Sequence, residues 1–177
     1  MRSGSTEQDS GDRPWWMSAV CYEIYPRSFA DSDGDGQGDL GGVRAHLDYL
    51  ELLGIDALWL CPFHPSPMAD NGYDIADFCG VDPVFGSLAE FDGLLHDAHE
   101  RGIRVLVDWV PNHTTDQHRW FVDARSSRDA EHRDWYNWRD RPTNWRSAID
   151  LGSTWTLDEA TEQYYLHFFL PQQPDLN

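Results

Sequence analysis

Basic residues are scarce in this chain of 177 residues: 13 face 31 acidic ones, leaving a formal charge of −18. A surface so negative repels phosphate backbones and anionic headgroups, so nucleic acid and membrane surfaces are excluded as partners. Most of these carboxylates form a solvated face that keeps the protein soluble. Cysteine is scarcer still. Cys21, Cys61 and Cys79 are odd in number and lack metal-ligand spacing, which argues against both a disulfide framework and a zinc site and places the chain in a reducing cytoplasm. No stretch approaches the roughly 20 apolar residues of a membrane span. The first dozen residues are polar, with no apolar run before Trp15, so they lack the central feature of a secretory signal; residues 1–13 read as a disordered tail. No internal repeat is visible.

What is present is enough apolar mass, 40% of residues, to bury a substantial core. Val20 to Tyr25 is apolar and aromatic, stops at Pro26, and reads as a buried strand. From Val43 the residues Leu47, Leu50 and Leu53 recur at helical spacing, with Gly54 where a helix would stop. Ala57 to Leu60 is a second short apolar run. Ser87 and Glu90 form a capping-box signature ahead of Leu88, Phe91, Leu94, Leu95 and Ala98, one helical face ended by Gly102. Ile103 to Val107 is a third apolar run. Strands alternating with helices define an α/β protein with a parallel sheet, in a barrel or a doubly wound arrangement. Past Val110 the rhythm gives way to a stretch rich in tryptophan and arginine, with little helical period before Tyr164 to Phe169. It reads as an irregular insertion in which Trp135, Trp138 and Trp145 build a small core of their own. Three strands fill well under half of a barrel of about 250 residues, so the chain is expected to be incomplete.

Asp31, Asp33, Asp35 and Asp39 alternate with Gly34, Gly36 and Gly38. Carboxylates on so pliable a backbone suit a hard cation, and unneutralised they would repel one another. An ordinary Asp and Gly turn is the plainer alternative. An EF-hand is the rival with this spacing, but Gly42 stands where its twelfth-position glutamate belongs and a strand precedes the loop.

In parallel α/β folds the residues just past each strand gather at one end. Two such places combine carboxylates with rings: Asp70, Asn71, Gly72, Tyr73 and Asp74 after the second strand, and Asp108 to His113 after the third. That mixture suits a sugar, whose hydroxyls meet acids while its apolar face meets an aromatic ring. Plainer roles also exist. Asp74 and Asp77 serve as turn formers, His113 could cap a strand end, Phe169 could be core, and Cys61 and Cys79 could be packing residues.

The tryptophan pair with YEIYPRSF, then DSDGDGQGDLGG, NGYD, DWVPNH, WYNWRD and QPDLN, in that order, resemble the opening of α-amylase family glycoside hydrolases, in particular the α-glucosidase and oligo-1,6-glucosidase group. The resemblance runs from Trp15 to Asn177. It implies the first three strands of a (β/α)₈ barrel over residues 14–112, an inserted domain over 113–177, and a small α-glucoside as substrate. By the same resemblance Asp70 would hold hydroxyls at the closed end of a pocket, Tyr73 would stack beneath the reacting ring, and His113 would donate to a hydroxyl with Asp108 in support. Phe169 and Gln173 would close over the ring. Asp31, Asp33, Asp35, the Gln37 carbonyl and Asp39 would bind a structural Ca2+. No catalytic residue falls within this chain: the nucleophilic carboxylate and the acid of a retaining hydrolase are expected beyond Asn177. Two departures stand out. Asp33 replaces the usual asparagine, and the stretch Asn144 to Gly152 lacks the group's phenylalanine followed by two glycines. Relatives that isomerise sucrose, interconvert maltose and trehalose or transfer glucosyl groups share these motifs, as do non-catalytic members of the family.

Overall fold

The computed structural model describes residues 13–149 and 151–177. The tail expected over 1–13 therefore lies, Arg13 excepted, outside the described residues, as does Asp150.

Three short strands, β1 (Cys21–Ile24), β2 (Ala57–Leu60) and β3 (Arg104–Val107), form a parallel sheet in the order β1-β2-β3, confirming the α/β class. Their register pairs Ile24 with Leu60 and Leu60 with Val107. One face carries Ile24, Leu58 and Leu60, all buried, against α2 (Leu40–Ala45), α3 (Leu47–Leu53) and α4 (Leu88–Glu100), whose Leu40, Val43, Leu47, Leu50, Leu94 and Ala98 complete the core. The other face is only partly covered among the described residues. Trp59 and Leu106 lie there 38% and 41% exposed, so the strands are not buried on both faces as continuous apolar runs imply.

A single turn, α1 (Pro26–Phe29), follows β1. The helix expected from Val43 to Leu53 begins earlier, at Leu40, and breaks at His46, whose backbone leaves helical angles and whose Nδ1 lies 2.8 Å from the Gly42 carbonyl. Leu53 is exposed rather than core, and Gly54 closes α3 with φ 82°. Ser87 caps α4 by accepting the Glu90 N–H, although Leu88, assigned to the apolar face, is exposed.

Residues 113–177 are more regular than composition implied. α5 (Arg119–Ala124) is followed by an antiparallel sheet of β4 (Trp138–Arg139), β5 (Trp155–Asp158) and β6 (Gln163–Leu166) in the order β4-β6-β5. Phe121 anchors a second core with Ala124, Tyr136 and Tyr165. Its ring lies nearly parallel to Trp138 at 5.7 Å and edge-on to Tyr136 and Tyr165 at 5.0 Å. Trp138 thus plays the expected core role, whereas Trp135 and Trp145 are about half exposed.

Two glycines resist substitution for different reasons. A Cβ on Gly42 would overlap the Ala30 carbonyl, while one on Gly54 meets nothing. Gly42→Ala is expected to cost about 3 kcal/mol through backbone displacement, and Gly54→Ala about 1 kcal/mol from its positive φ. Urea titration of both variants checks this ranking; equal losses would contradict it.

Candidate functional site

Asp70, Tyr73, Asp108, His113 and Phe169 line one hollow of about 320 Å³, together with the segment Trp109–Asn112. Five of the six expected sugar-site residues are therefore brought together. The sixth, Gln173, is fully buried behind them; its Nε2 donates to Asp70 Oδ2 at 2.9 Å and its Oε1 accepts the Leu170 N–H at 3.0 Å.

Asp108 follows β3 directly, its N–H bonded to the Leu60 carbonyl. Both its oxygens are engaged by neighbours: Trp59 Nε1 donates to Oδ1 at 2.8 Å, and the Tyr73 hydroxyl to Oδ2 at 2.9 Å. This carboxylate fixes the Tyr73 ring. Burial first, then the bond to Asp108, drives the Tyr73 pKa well above that of a free phenol, so the hydroxyl stays a donor. Beside it Cys61 is buried and donates to Glu23 Oε1 at 3.3 Å, its thiol pushed up to about 11 by burial. It packs as expected, whereas Cys79 is exposed and does not.

The loop that presents Asp70 and Tyr73 is organised by Asp74, read above as a turn former but in fact completely buried. Its carboxylate accepts from Ser66 Oγ, the Ala69 N–H and the Asp70 N–H, each at 2.9 Å. Three donors around one buried carboxylate repay its desolvation and fix the loop. Asp77 does form a turn, accepting the Cys79 N–H.

His113 is buried, which lowers its pKa and favours the neutral ring. Its Nε2 lies 3.0 Å from the Tyr73 carbonyl, and Phe169 stands edge-on at 5.2 Å. Phe169 is thus a pocket wall, not core.

Sequence reading gave no role of their own to Trp59, Asn112 and Asp175. Asp175 sits in an isolated antiparallel bridge with His113, and its carboxylate accepts from Asn112 Nδ2 at 2.9 Å and the Phe168 N–H at 3.1 Å. Burial raises its pKa to about 6.

In the acidic loop, Asp31, Asp33 and Asp39 bring carboxylate oxygens within 4.8 Å of one another. Asp35 is not in that group; its Oδ1 accepts the Gln37 N–H at 2.7 Å. Bonds from the Gly34 and Gly36 N–H groups pull the Asp31 pKa down. Among the described residues no helix is long and apolar enough to cross a membrane.

The structure thus defines a parallel α/β sheet whose strand ends carry carboxylates, a tyrosine and a histidine around one hollow. Comparison with known proteins makes the relationship specific. Residues 23–177 match the α-amylase catalytic domain, and the chain belongs to that family. It is 50% identical over 171 residues to an oligo-1,6-glucosidase of Bacillus cereus, covering 94% of this chain and 30% of that protein. Over 165 residues it is 53% identical to a glucan 1,6-alpha-glucosidase of Streptococcus dysgalactiae subsp. equisimilis, covering 93% and 30%. Among solved structures, the trehalulose synthase of Pseudomonas mesoacidophila superposes with a TM-score of 0.90 at 50% identity, covering 93% of this chain and 30% of that one. The chain thus spans about 30% of the length of the curated relatives it matches.

The Asp175 shift gives a signed pH dependence. Its folded pKa lies above the unfolded value of about 3.9, so ionising it weakens the fold, and its contribution is lost as pH rises through about 6. Relative to Asp175→Asn, the parent chain should gain stability between pH 7.5 and pH 4.5. A difference in urea midpoint between the two that stays constant with pH contradicts this.

Proposed function

We propose that this chain supplies the glucose-gripping wall of an α-glucosidase that hydrolyses short α-glucosides from the non-reducing end with retention. One observation carries the reading: Asp70, Tyr73, Asp108, His113 and Phe169 share a single hollow, of a size within the roughly 300–1,000 Å³ of small-molecule sites. In this reading Asp70 accepts from sugar hydroxyls at the closed end, with Gln173 holding the acid in place. The Tyr73 ring, locked by Asp108, lies under the sugar's apolar face, His113 flanks it from the side, and Phe169 closes the far wall. β1 to β3 are the opening strands of a (β/α)₈ barrel and residues 113–177 its inserted domain. A relative solved with glucose, a trehalulose synthase variant, supports a glucosyl unit as the ligand.

Retention needs two carboxyl groups about 5 to 5.5 Å apart across the scissile bond. In this reading they come from other strands of a polypeptide of the relatives' length, and the 177 residues alone do not turn over. Assaying both polypeptides on a chromogenic α-glucoside, with the first-formed anomer followed by NMR, tests this. Turnover by the longer form alone, releasing α-glucose first, is expected. Activity of the 177-residue chain, or initial β-glucose, would overturn it. The second reading is isomerisation or glucosyl transfer, favoured by the 50% identity to the trehalulose synthase; product analysis on sucrose separates the two. We also retain the cytoplasm as the proposed location, supported by three free cysteines.

Calcium is the proposed structural ion. Donor oxygens on opposite sides of a Ca2+ stand about 4.8 Å apart, and the Asp31, Asp33 and Asp39 oxygens fit that span. These three would hold it, with Asp35 and the Gln37 carbonyl as further ligands by family resemblance. The ion would neutralise the loop and pin it where Asp39 caps α2 by accepting the Gly42 N–H. Adding Ca2+ at a hundredfold excess over its Kd should stabilise the fold by about 2.7 kcal/mol, an effect lost in Asp31→Asn. An unchanged thermal midpoint in the parent chain would dismiss the site.

A further inference from the structure

Asn112 is the middle of a polar relay that begins at Asp175. The Asp175 side chain is buried, and its two oxygens take one N–H each, from the Asn112 amide and from the Phe168 backbone. A carboxylate offers a neighbouring amide only lone pairs, so Asn112 must turn its NH₂ toward it. The same NH₂ lies 3.2 Å from His113 Nδ1. Its second N–H is then donated to Nδ1, which leaves the ring proton on Nε2. That assignment agrees with the Tyr73 carbonyl 3.0 Å from Nε2, a group that can only accept.

The opposite tautomer would satisfy one neighbour, the Gln173 amide nitrogen 3.0 Å from Nε2. It would set two others in conflict, N–H against N–H at Asn112 and lone pair against lone pair at Tyr73. Two contacts outweigh one, and the Gln173 amide already has Asp70 as its acceptor. Meanwhile the Phe168 N–H bond seats the neighbouring Phe169 ring against His113. One carboxylate thereby sets both the proton position on His113 and the wall facing it.

We propose that Asp175 is a positioning residue of the sugar site, fixing through Asn112 the Nε2–H tautomer of His113 and hence the bond that ties this ring to the Tyr73 carbonyl at the wall of the hollow. The ligand clause rests on the sugar-site reading given above; the relay does not.

Asp175→Asn is the discriminating variant because it is nearly isosteric. Its carbonyl can keep the Phe168 N–H while its NH₂ donates to an Asn112 that has turned over. Asn112 then shows its carbonyl to His113, and the ring proton moves to Nδ1. Long-range proton–nitrogen NMR on the labelled chain at neutral pH reads the tautomer, with His113 assigned by the signals lost in His113→Gln. The parent is expected to be Nε2–H and Asp175→Asn mainly Nδ1–H, with the thermal midpoint little changed, a result that a merely structural role would not produce. Should Asp175→Asn not fold, Asn112→Ala decides, since removing the relay should leave the two tautomers mixed. A ring that stays fully Nε2–H in these variants overturns the proposal. Glucose titration of the same samples tests the ligand clause separately: shifts of the His113 signals in the parent support it, and none at saturating glucose refutes that clause while the tautomer result stands.

Discussion

The antiparallel run of residues 112–116 beside 172–176 is the constraint on which the site depends. Leu176 N–H bonds to the Asn112 carbonyl, Thr114 N–H to Pro174 and Asp116 N–H to Gln172, joining segments about sixty residues apart. Side chains alternate across such a ladder, so a slip of one residue would exchange inward and outward sets. In the observed register Gln173 and Asp175 both turn toward the pocket wall, one meeting Asp70 and the other Asn112. The second core under Phe121 matters to the site for this reason: it sustains the segment that returns Gln173 and Asp175 to the strand ends.

Around that ladder polar groups are arranged before any ligand arrives. Asp74, Asp108 and Asp175 are each held by two or three donors, and only Thr154 Oγ1 is a buried side-chain polar atom without a partner among the described residues. A site whose groups are already oriented loses little conformational freedom on binding. The exposed acids, by contrast, contribute to solubility rather than to the pocket.

The first sheet was legible in the residues because local preference and tertiary role agree there. Ala57–Leu60 and the helix capped by Ser87 lie where their apolar pattern and cap place them. The break at His46 was not legible, since the apolar repeat runs through it unchanged. Nor was the second sheet: β4 is two residues long, and its partner is chosen by the packing of Phe121, Trp138 and Tyr165 rather than by any local pattern. The same distinction applies to the site. Asp70, Tyr73, Asp108 and His113 announce themselves by type and by place after a strand. Asp175 does not, because its partner Asn112 lies 63 residues earlier, and Trp59 looks like one more apolar strand residue until its indole N–H is seen to reach Asp108. Asp74 has the composition of a turn but the burial of a core residue, and no sequence pattern separates those two.

The outer strands of the parallel sheet have a consequence of their own. Among the described residues β1 and β3 pair only with β2, so each leaves a row of amide and carbonyl groups open along its far side, beside a face on which Trp59 and Leu106 are partly exposed. Such edges accept any extended segment of suitable shape. The geometry that would receive a further strand of the same polypeptide would equally receive one from a neighbouring molecule, making protein concentration a determinant of whether this sheet stays solitary.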